Sequence, residues 1–483
     1  MTAQSFLWHD YETFGADPRR DRPCQFAALR TDLELKPIEQ PVIYYSQPTM
    51  DLLPVPDACL VTGITPQEAL EKGLPEYEFA RAIERLMSLP GTCTVGYNNF
   101  RFDDEVTRFM FWRNFIEPYA REYSNGNSRF DLIDLLRLTC ALRPDGIEWP
   151  LRDDGAPSFR LEDLAKANGM EIEHAHDALA DVENTIGMAR LVKRHQPRLW
   201  DWALSLRERF RVEKLLQSGK PLLHATSRFG ADQFCIAPVL PLFQHTQIAS
   251  QWLVWNLRES PAEFRDFDAE TLEDLHFTPA RDLPEGQRRL PVKWVRSNRC
   301  PMLAPMNVVN DTARERTGID PETAAHYAEK LHSDQEFIDR LRQVFRPQPG
   351  RENPDAETAL YAGFVSRDDR QICARLNRMS AEQIADFSLD QPEPFADRRL
   401  NTLLLHFTGR HAETRLDEET RMQWQDYRHR RLLHDPDLAS IQLEPYRQRI
   451  TELMQQYPDK QLLLEALAHW PETLQITDES QIE

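Results

Sequence analysis

The chain has 483 residues, 41% hydrophobic and 10% aromatic, with a formal net charge of −20. That length exceeds one ordinary core and predicts two or three domains, while the acidic balance means that any nucleic-acid contact must gather its basic side chains locally. No run of about 18 apolar residues occurs, so a membrane span is not expected. The seven cysteines are odd in number and form no CxxC pair, which reads as reduced thiols in a cytoplasmic protein. The start, MTAQSFLWHD, has no basic region followed by an apolar stretch, and no secretory signal is expected.

The first predicted element is a strand in FLWHDYETFG. Phe6, Leu7 and Trp8 form its buried part, and Asp10 and Glu12, two apart, point to one side at its exposed end. Like charges that close repel unless something positive sits between them. QFAALRTDLEL, PVIYYSQP and TCTVGYNN read as further strands. EYEFARAIERLMSL, DEVTRFMFWRNFI, DLIDLLRLTCAL, RLEDLAKANG and DALADVENTIGMARLVKRH carry helical spacing of apolar residues. Residues 1–195 are therefore expected to form an α/β domain on a mixed sheet flanked by helices.

A break follows at HQPRLW, then a basic helix over 201–218. KPLLHATSRFG, QFCIAPVLPLF, QWLVWNL and LPVKWVRSNRCPML are short strand-like runs, and 196–350 reads as a small β-rich domain, a barrel in form, with flanking helices. Asp320-Pro321 marks a helix start. Beyond the Pro-rich RPQPGRENPD, residues 351–483 read as helical, most clearly in ADRRLNTLLLHFTGRH and EETRMQWQDYRHRRLL.

Three stretches join the opening one. GYNNFRFDDEV places Asp103 and Asp104 after a strand and at a helix start; HAHDALADV places His176 five residues before Asp181; SFRLEDLAKANG offers Arg160 at a helix start. Five residues of ideal helix leave two side chains roughly 140° apart. His176 and Asp181 can share a site if the helix begins between them, and Asp177 is a good N-cap there. Ala178, Val182, Ile186 and Ala189 then form the buried stripe. Taken singly, each carboxylate reads as well as a solvated acid or a helix cap, and His176 as a surface histidine. Together, four carboxylates and a histidine meet the needs of two-metal phosphodiester hydrolysis. Hard oxygen ligands suit Mg²⁺ or Mn²⁺, two ions clamp the attacking and leaving oxygens, and a histidine takes the water proton.

The order Asp-x-Glu, N-x-x-F-D, H-x-x-x-x-D resembles that of the DEDDh 3′→5′ exonucleases, which have a ribonuclease H-like fold. HDYETFG, DRPCQFAALRTD, LVTGITPQEA, GYNNFRFDDEVTR, ALRPDGI and PSFRLEDLAKANG are similar to the bacterial exonuclease I branch of that superfamily, as is the layout over essentially the whole chain. The resemblance implies an exonuclease domain, an SH3-like domain and a C-terminal helical domain. It implies two Mg²⁺ ions, replaceable by Mn²⁺, on Asp10, Glu12, Asp103 and Asp181, with Asp10 shared and Asp104 the rival of Asp103. It makes His176 the general base, gives Arg160 a substrate phosphate, and sets Glu12 against the substrate as well as the metal.

TRFMFWRNFIEPYAREY supplies basic and aromatic side chains of the kind that grip a single strand. Arg108 and Arg137 are the candidate phosphate contacts, and Tyr119 and Tyr123 the stacking platforms. Arg207, Arg211 and Lys214 are candidates for a basic channel wall. The resemblance further implies docking of the acidic C-terminal tail of single-stranded DNA-binding protein, with Arg143 facing its carboxylate, and a monomer acting in DNA repair and recombination. The expected activity is release of 5′-mononucleotides from the 3′ end of single-stranded DNA. An exoribonuclease with the same site, and an idle single-strand-binding scaffold, are the alternatives.

Overall fold

The computed structural model describes residues 4–170, 178–347 and 355–476. Two compact units emerge: the first is Met1–Ser128, Glu173–Glu183 and Gly350–Glu483, the second Arg129–Ile172 and Asn184–Pro349.

The first unit is built on β1 (Ser5–Thr13), β2 (Pro23–Thr31), β3 (Val42–Tyr45) and β4 (Thr92–Gly96), in the order β3-β2-β1-β4. β1 runs antiparallel to β2, opposing Asp10 to Ala27 and Glu12 to Gln25, and parallel to β4 from Ser5↔Thr92 to Trp8↔Val95. The sequence places Asp10 and Glu12 at a strand's exposed end. β1 instead continues past both carboxylates to Thr13, with Glu12 only 9% exposed. What ends at Trp8 is the pairing with β4, so β1 carries the carboxylates on along a single neighbour. A register shift between Glu12 and Thr13 then bends the strand.

Helices Glu76–Met87 and Asp103–Arg113 cover one core of this sheet, where Phe26, Phe79, Ile83, Val106, Met110 and Phe111 are buried. The segment from 355 is helical as expected, with helices at Arg398–Ala412 and Glu418–His429. It packs on the α/β part through two further cores. Phe109, Trp112 and Phe115 are buried with Leu400, Leu403 and Phe407 in one; Phe14, Cys24 and Leu52 are buried with Tyr446, Leu464 and Trp470 in the other. Polar atoms seal both: Trp112 Nε1 donates to Ala356 O at 2.8 Å and Trp470 Nε1 to Leu52 O at 3.0 Å.

The second unit opens in strand β5 (Ser128–Asp131) and helix Leu132–Leu142. Its sheet contains β6 (Leu222–Ala225), β7 (Ile236–Gln244), β8 (Gln251–Asn256), β9 (Val292–Arg296) and β10 (Met302–Pro305), in the order β10-β6-β7-β8-β9. The sheet curls enough for Lys293 on β9 to reach His224 on β6, with 3.1 Å between Nζ and Nε2. The basic stretch expected as one helix over 201–218 is two, Pro197–Ser205 and Arg209–Leu216. The start at Asp320-Pro321 is as predicted, Asp320 accepting from Thr323 N at 3.1 Å. Among the described residues no helix is long and apolar enough to cross a membrane.

Candidate active site

Strand alternation sets Asp10 and Glu12 on one side of β1, and the helix Ala178–His195 brings Asp181 to them. One carboxylate oxygen from each of the three lies within 4.8 Å of the others. The stripe predicted for that helix holds: Ala178, Val182, Ile186 and Ala189 are all buried. Burial pushes the Asp10 carboxyl well above its ordinary range, and the charges of Asp103, Glu12 and Asp181 push it further the same way. These neighbours are all acidic, and the repulsion among them is what an added cation would relieve.

Asp103 and Asp104 are the first two residues of the helix Asp103–Arg113, and both are buried. Asp103 Oδ1 accepts from the Tyr11 backbone N–H at 3.1 Å, which ties it to β1 between the two metal-type carboxylates. Thr107 Oγ1 reinforces this, lying 2.8 Å from Asp103 O and 3.0 Å from the Tyr11 hydroxyl. Asp104 instead forms a buried ion pair with Arg121 at 2.6 Å.

His9, next to Asp10, is buried on the opposite side of the strand. Burial and the Arg121 charge bring its imidazole down to about 3, against the pull of Asp104. A ring that weakly basic makes a poor proton acceptor. His176, the predicted base, lies outside the described residues.

The other predicted contacts fall into two kinds. Arg108 is buried, donating from Nε and Nη2 to Glu122 at 2.7 and 2.9 Å and from Nη1 to Glu105 at 2.7 Å. Its guanidinium, for which a phosphate contact is expected, holds two carboxylates of the fold and lies 5.3 Å from the half-buried Tyr119 ring. Tyr123 is 68% exposed. In the second unit Arg137 pairs with Asp134 at 2.5 Å and lies over the Phe159 ring. Arg143 donates to the Leu142 and Val308 carbonyls. Arg160 holds the N-cap position of helix Leu161–Ala167 with its side chain 71% exposed, 3.1 Å from Glu162.

Sequence reasoning missed the internal arginine partners. Arg121 lies within the basic and aromatic stretch TRFMFWRNFIEPYAREY, and nothing in its spacing from Asp104 announces the pair. Arg22 likewise meets Glu357 at 2.5 Å across 335 positions, beyond the reach of any local pattern.

Comparison with known proteins gives three family matches: Exonuclease over residues 7–189, Exonuclease I SH3-like domain over 207–347, and Exonuclease I C-terminal domain over 354–474. The exodeoxyribonuclease I of Haemophilus influenzae is 40% identical over 465 residues, 95% of this chain and 97% of its own. The crystal structure of E. coli exonuclease I in complex with a dA16 oligonucleotide superposes with a TM-score of 0.91 at 38% identity, covering 98% of this chain and 100% of that one. The zinc-bound form of the E. coli exonuclease I complex with single-stranded DNA has a TM-score of 0.90 at 37% identity, with the same coverage. With matches along nearly its whole length and an acidic cluster in the exonuclease segment, the chain belongs to the exonuclease I family.

Proposed function

We propose that this chain is a 3′→5′ exodeoxyribonuclease that degrades single-stranded DNA to 5′-mononucleotides at a two-cation centre held by Asp10, Glu12, Asp103 and Asp181. The observation that carries the reading is the convergence of Asp10, Glu12 and Asp181 oxygens within 4.8 Å, with the Asp10 carboxyl raised by burial and by its acidic neighbours. The donor set fits the group: all-carboxylate oxygens suit Mg²⁺, with Mn²⁺ as a substitute. Bound there, divalent cations supply activation of the attacking water and charge stabilisation at the scissile phosphate.

The chain's own residues do the rest. β1 holds Asp10 and Glu12 side by side, and Tyr11 N–H orients Asp103. His176, whose role rests on the H-x-x-x-x-D order, takes the proton of the attacking water. Glu12 is also placed to meet the substrate. Arg160 and Tyr123 have the exposure a phosphate contact and a stacking platform need; Tyr119 and Arg137 are less open. Arg108 is proposed as a further phosphate contact, its guanidinium oriented by the Glu105 and Glu122 carboxylates. Arg143 is the proposed anchor for the acidic tail of single-stranded DNA-binding protein, and the protein works as a cytoplasmic monomer. The functional segments are 1–195, 196–350 and 351–483.

Matched DNA and RNA oligonucleotides labelled at the 5′ end, digested with and without Mg²⁺, test the reading. A Mg²⁺-dependent ladder shortening from the 3′ end on DNA is expected; faster loss of the RNA, or cleavage in chelator, would overturn it.

A further inference from the structure

Two carboxylates stand next to each other at the start of one helix, and only one of them faces the acidic cluster. Successive helical residues diverge by about 100°, so Asp103 and Asp104 cannot both do so, and a small rotation of the first turn would exchange them. We propose that Arg121 is a positioning residue: its buried ion pair with Asp104 fixes that turn so that Asp103 is presented to Asp10. The inference rests on the reading of the cluster as a cation centre.

Arg121 is suited to this by geometry. Its Nη2 lies 2.6 Å from Asp104 Oδ1, with both side chains fully buried, and its Nη1 donates to Thr94 Oγ1 on β4 at 3.3 Å. One guanidinium thus ties the helix start to the sheet that carries Asp10, a two-point link that the planar fork makes and an ammonium would not. The opposite edge of the same turn is held by Asp103 itself, through Tyr11 N–H. Arg121 is held in turn: it lies in the short helix Ala120–Tyr123, whose Glu122 receives two hydrogen bonds from Arg108 on the same Asp103–Arg113 helix. The chain therefore closes a loop of contacts, Asp104–Arg121, then Glu122–Arg108, around the turn bearing Asp103.

Electrostatics acts in the same direction. Asp104 is a second buried carboxylate on the same turn, and a rotation of that turn would carry its charge towards the cluster in place of that of Asp103. Paired with Arg121 it is neutralised inside the fold, and the set left to bind metal is four.

Three variants of the full chain test this: Arg121→Gln, Asp104→Asn, and the double variant. The readouts are kcat and KM on a single-stranded DNA oligonucleotide, the half-saturating Mg²⁺ concentration, and oligonucleotide affinity in chelator. For Arg121→Gln we expect kcat lower by about 30-fold or more and a raised half-saturating Mg²⁺ concentration, with DNA affinity within about twofold. Adding Asp104→Asn removes the unpaired carboxylate and is expected to recover about tenfold of that loss, a coupling that two independent structural defects would not give. Unchanged kcat and Mg²⁺ response in Arg121→Gln, or no recovery in the double variant, overturns the proposal. If Arg121→Gln does not fold, Asp104→Asn, which breaks the same pair, decides: a loss of about three- to tenfold in kcat with a raised half-saturating Mg²⁺ concentration is expected, whereas unchanged kcat and Mg²⁺ response, or a loss as large as that of Asp10→Asn, overturns the proposal. Should the unmodified chain show no Mg²⁺-dependent digestion, it is the functional reading that fails, not the assignment of Arg121.

Discussion

Asp51 and Glu357 are buried among Arg22, Arg410 and Arg431, whereas the half-buried Asp10 has Glu12, Asp103 and Asp181 around it. In the first group Arg410 donates to Asp51 at 2.6 Å and also pairs with Glu357, and Arg22 lies 2.5 Å from Glu357. Burial alone would raise both carboxyls, but the arginines outweigh it and hold them well below the usual range. In the second group burial and the neighbouring carboxylates act together and raise Asp10. Both sites gather acids, but their electrostatics have opposite signs. Arginines within the first group close the fold between distant segments. The second group is the one proposed to be completed from outside, by cations.

The largest effect that separates the two is on rate. Asp10→Asn should cut Mg²⁺-dependent nucleotide release by about 10³-fold or more, because it removes a carboxylate shared by the cation centre. Its thermal midpoint in chelator should stay level or rise, since a repelled charge is gone. Mg²⁺ should raise the midpoint of the unmodified chain and not of the variant, as mass action requires. Thermal melts with and without Mg²⁺, beside a digestion assay, check all three. A large drop in the chelator melt would put Asp10 with the compensated group.

The mirror experiment is Arg410→Met. It strands Asp51 and Glu357 with fewer partners, and losing one member of a buried charge group costs about 3–5 kcal/mol. Urea denaturation should show that loss, while the rate per folded molecule stays near that of the unmodified chain. Arg410 lies between Asp51 and Glu357, so the loss should also loosen the packing of the segment from 355 on the exonuclease part.

Acid provides a third contrast, at Glu76. Burial pushes its carboxyl up, but Arg113, Arg22 and Arg410 more than offset that and place it at about 2. Arg113, which donates from Nε at 2.8 Å, is itself brought down to about 10 by burial and by Arg22, and stays charged at neutral pH. A carboxyl lowered by folding stabilises above its unfolded value and loses that contribution as pH falls through the folded one. Stability linked to Glu76 should therefore drain away between about pH 4.5 and pH 2, by about 3 kcal/mol in all. Glu76→Gln should be less stable at neutral pH, with the gap closing across that window. Asp10 has the opposite sign: protons stabilise the cation-free cluster and compete with metal, so the half-saturating Mg²⁺ concentration should fall as pH rises.

How much of this was legible in the sequence follows from the range of the forces involved. Asp10 and Glu12 were readable because strand alternation acts over two residues, and Asp181 because helix periodicity fixed its face. The start at Asp320-Pro321 was readable because caps are local. The extension of β1 past its carboxylates was not, since it depends on β2, whose pairing is tertiary. The internal partners of Arg108 and Arg121 were not readable, because charge in a sequence carries no sign of its partner; only folding shows Glu105, Glu122 and Asp104 beside them. The choice between Asp103 and Asp104 was open for the same reason. The ions among 22, 51, 357, 410 and 431 left no local pattern at all.

The smallest expected effect probes the ground between the two groups. Tyr361, from the C-terminal segment, is 47% exposed and donates to Glu105 Oε2 at 2.7 Å, while Arg108 Nη1 approaches its hydroxyl at 3.3 Å. Glu105 and Arg108 lie on the helix that presents Asp103, so this hydroxyl links the C-terminal segment to the edge of the cation centre. Tyr361→Phe keeps the ring and its edge-on contact with Phe109, 5.6 Å between centroids. It removes two hydrogen bonds, one donated to Glu105 and a longer one accepted from Arg108, at a site open to water, together worth about 1–2 kcal/mol. Glu105 retains Arg108 at 2.7 Å, so no carboxylate is stranded and the helix start should not turn. The rate should then change by less than about twofold while urea denaturation shows the small loss. A rate loss rivalling that of Asp10→Asn would mean that compensation inside the fold and completion from outside are one connected system at this helix.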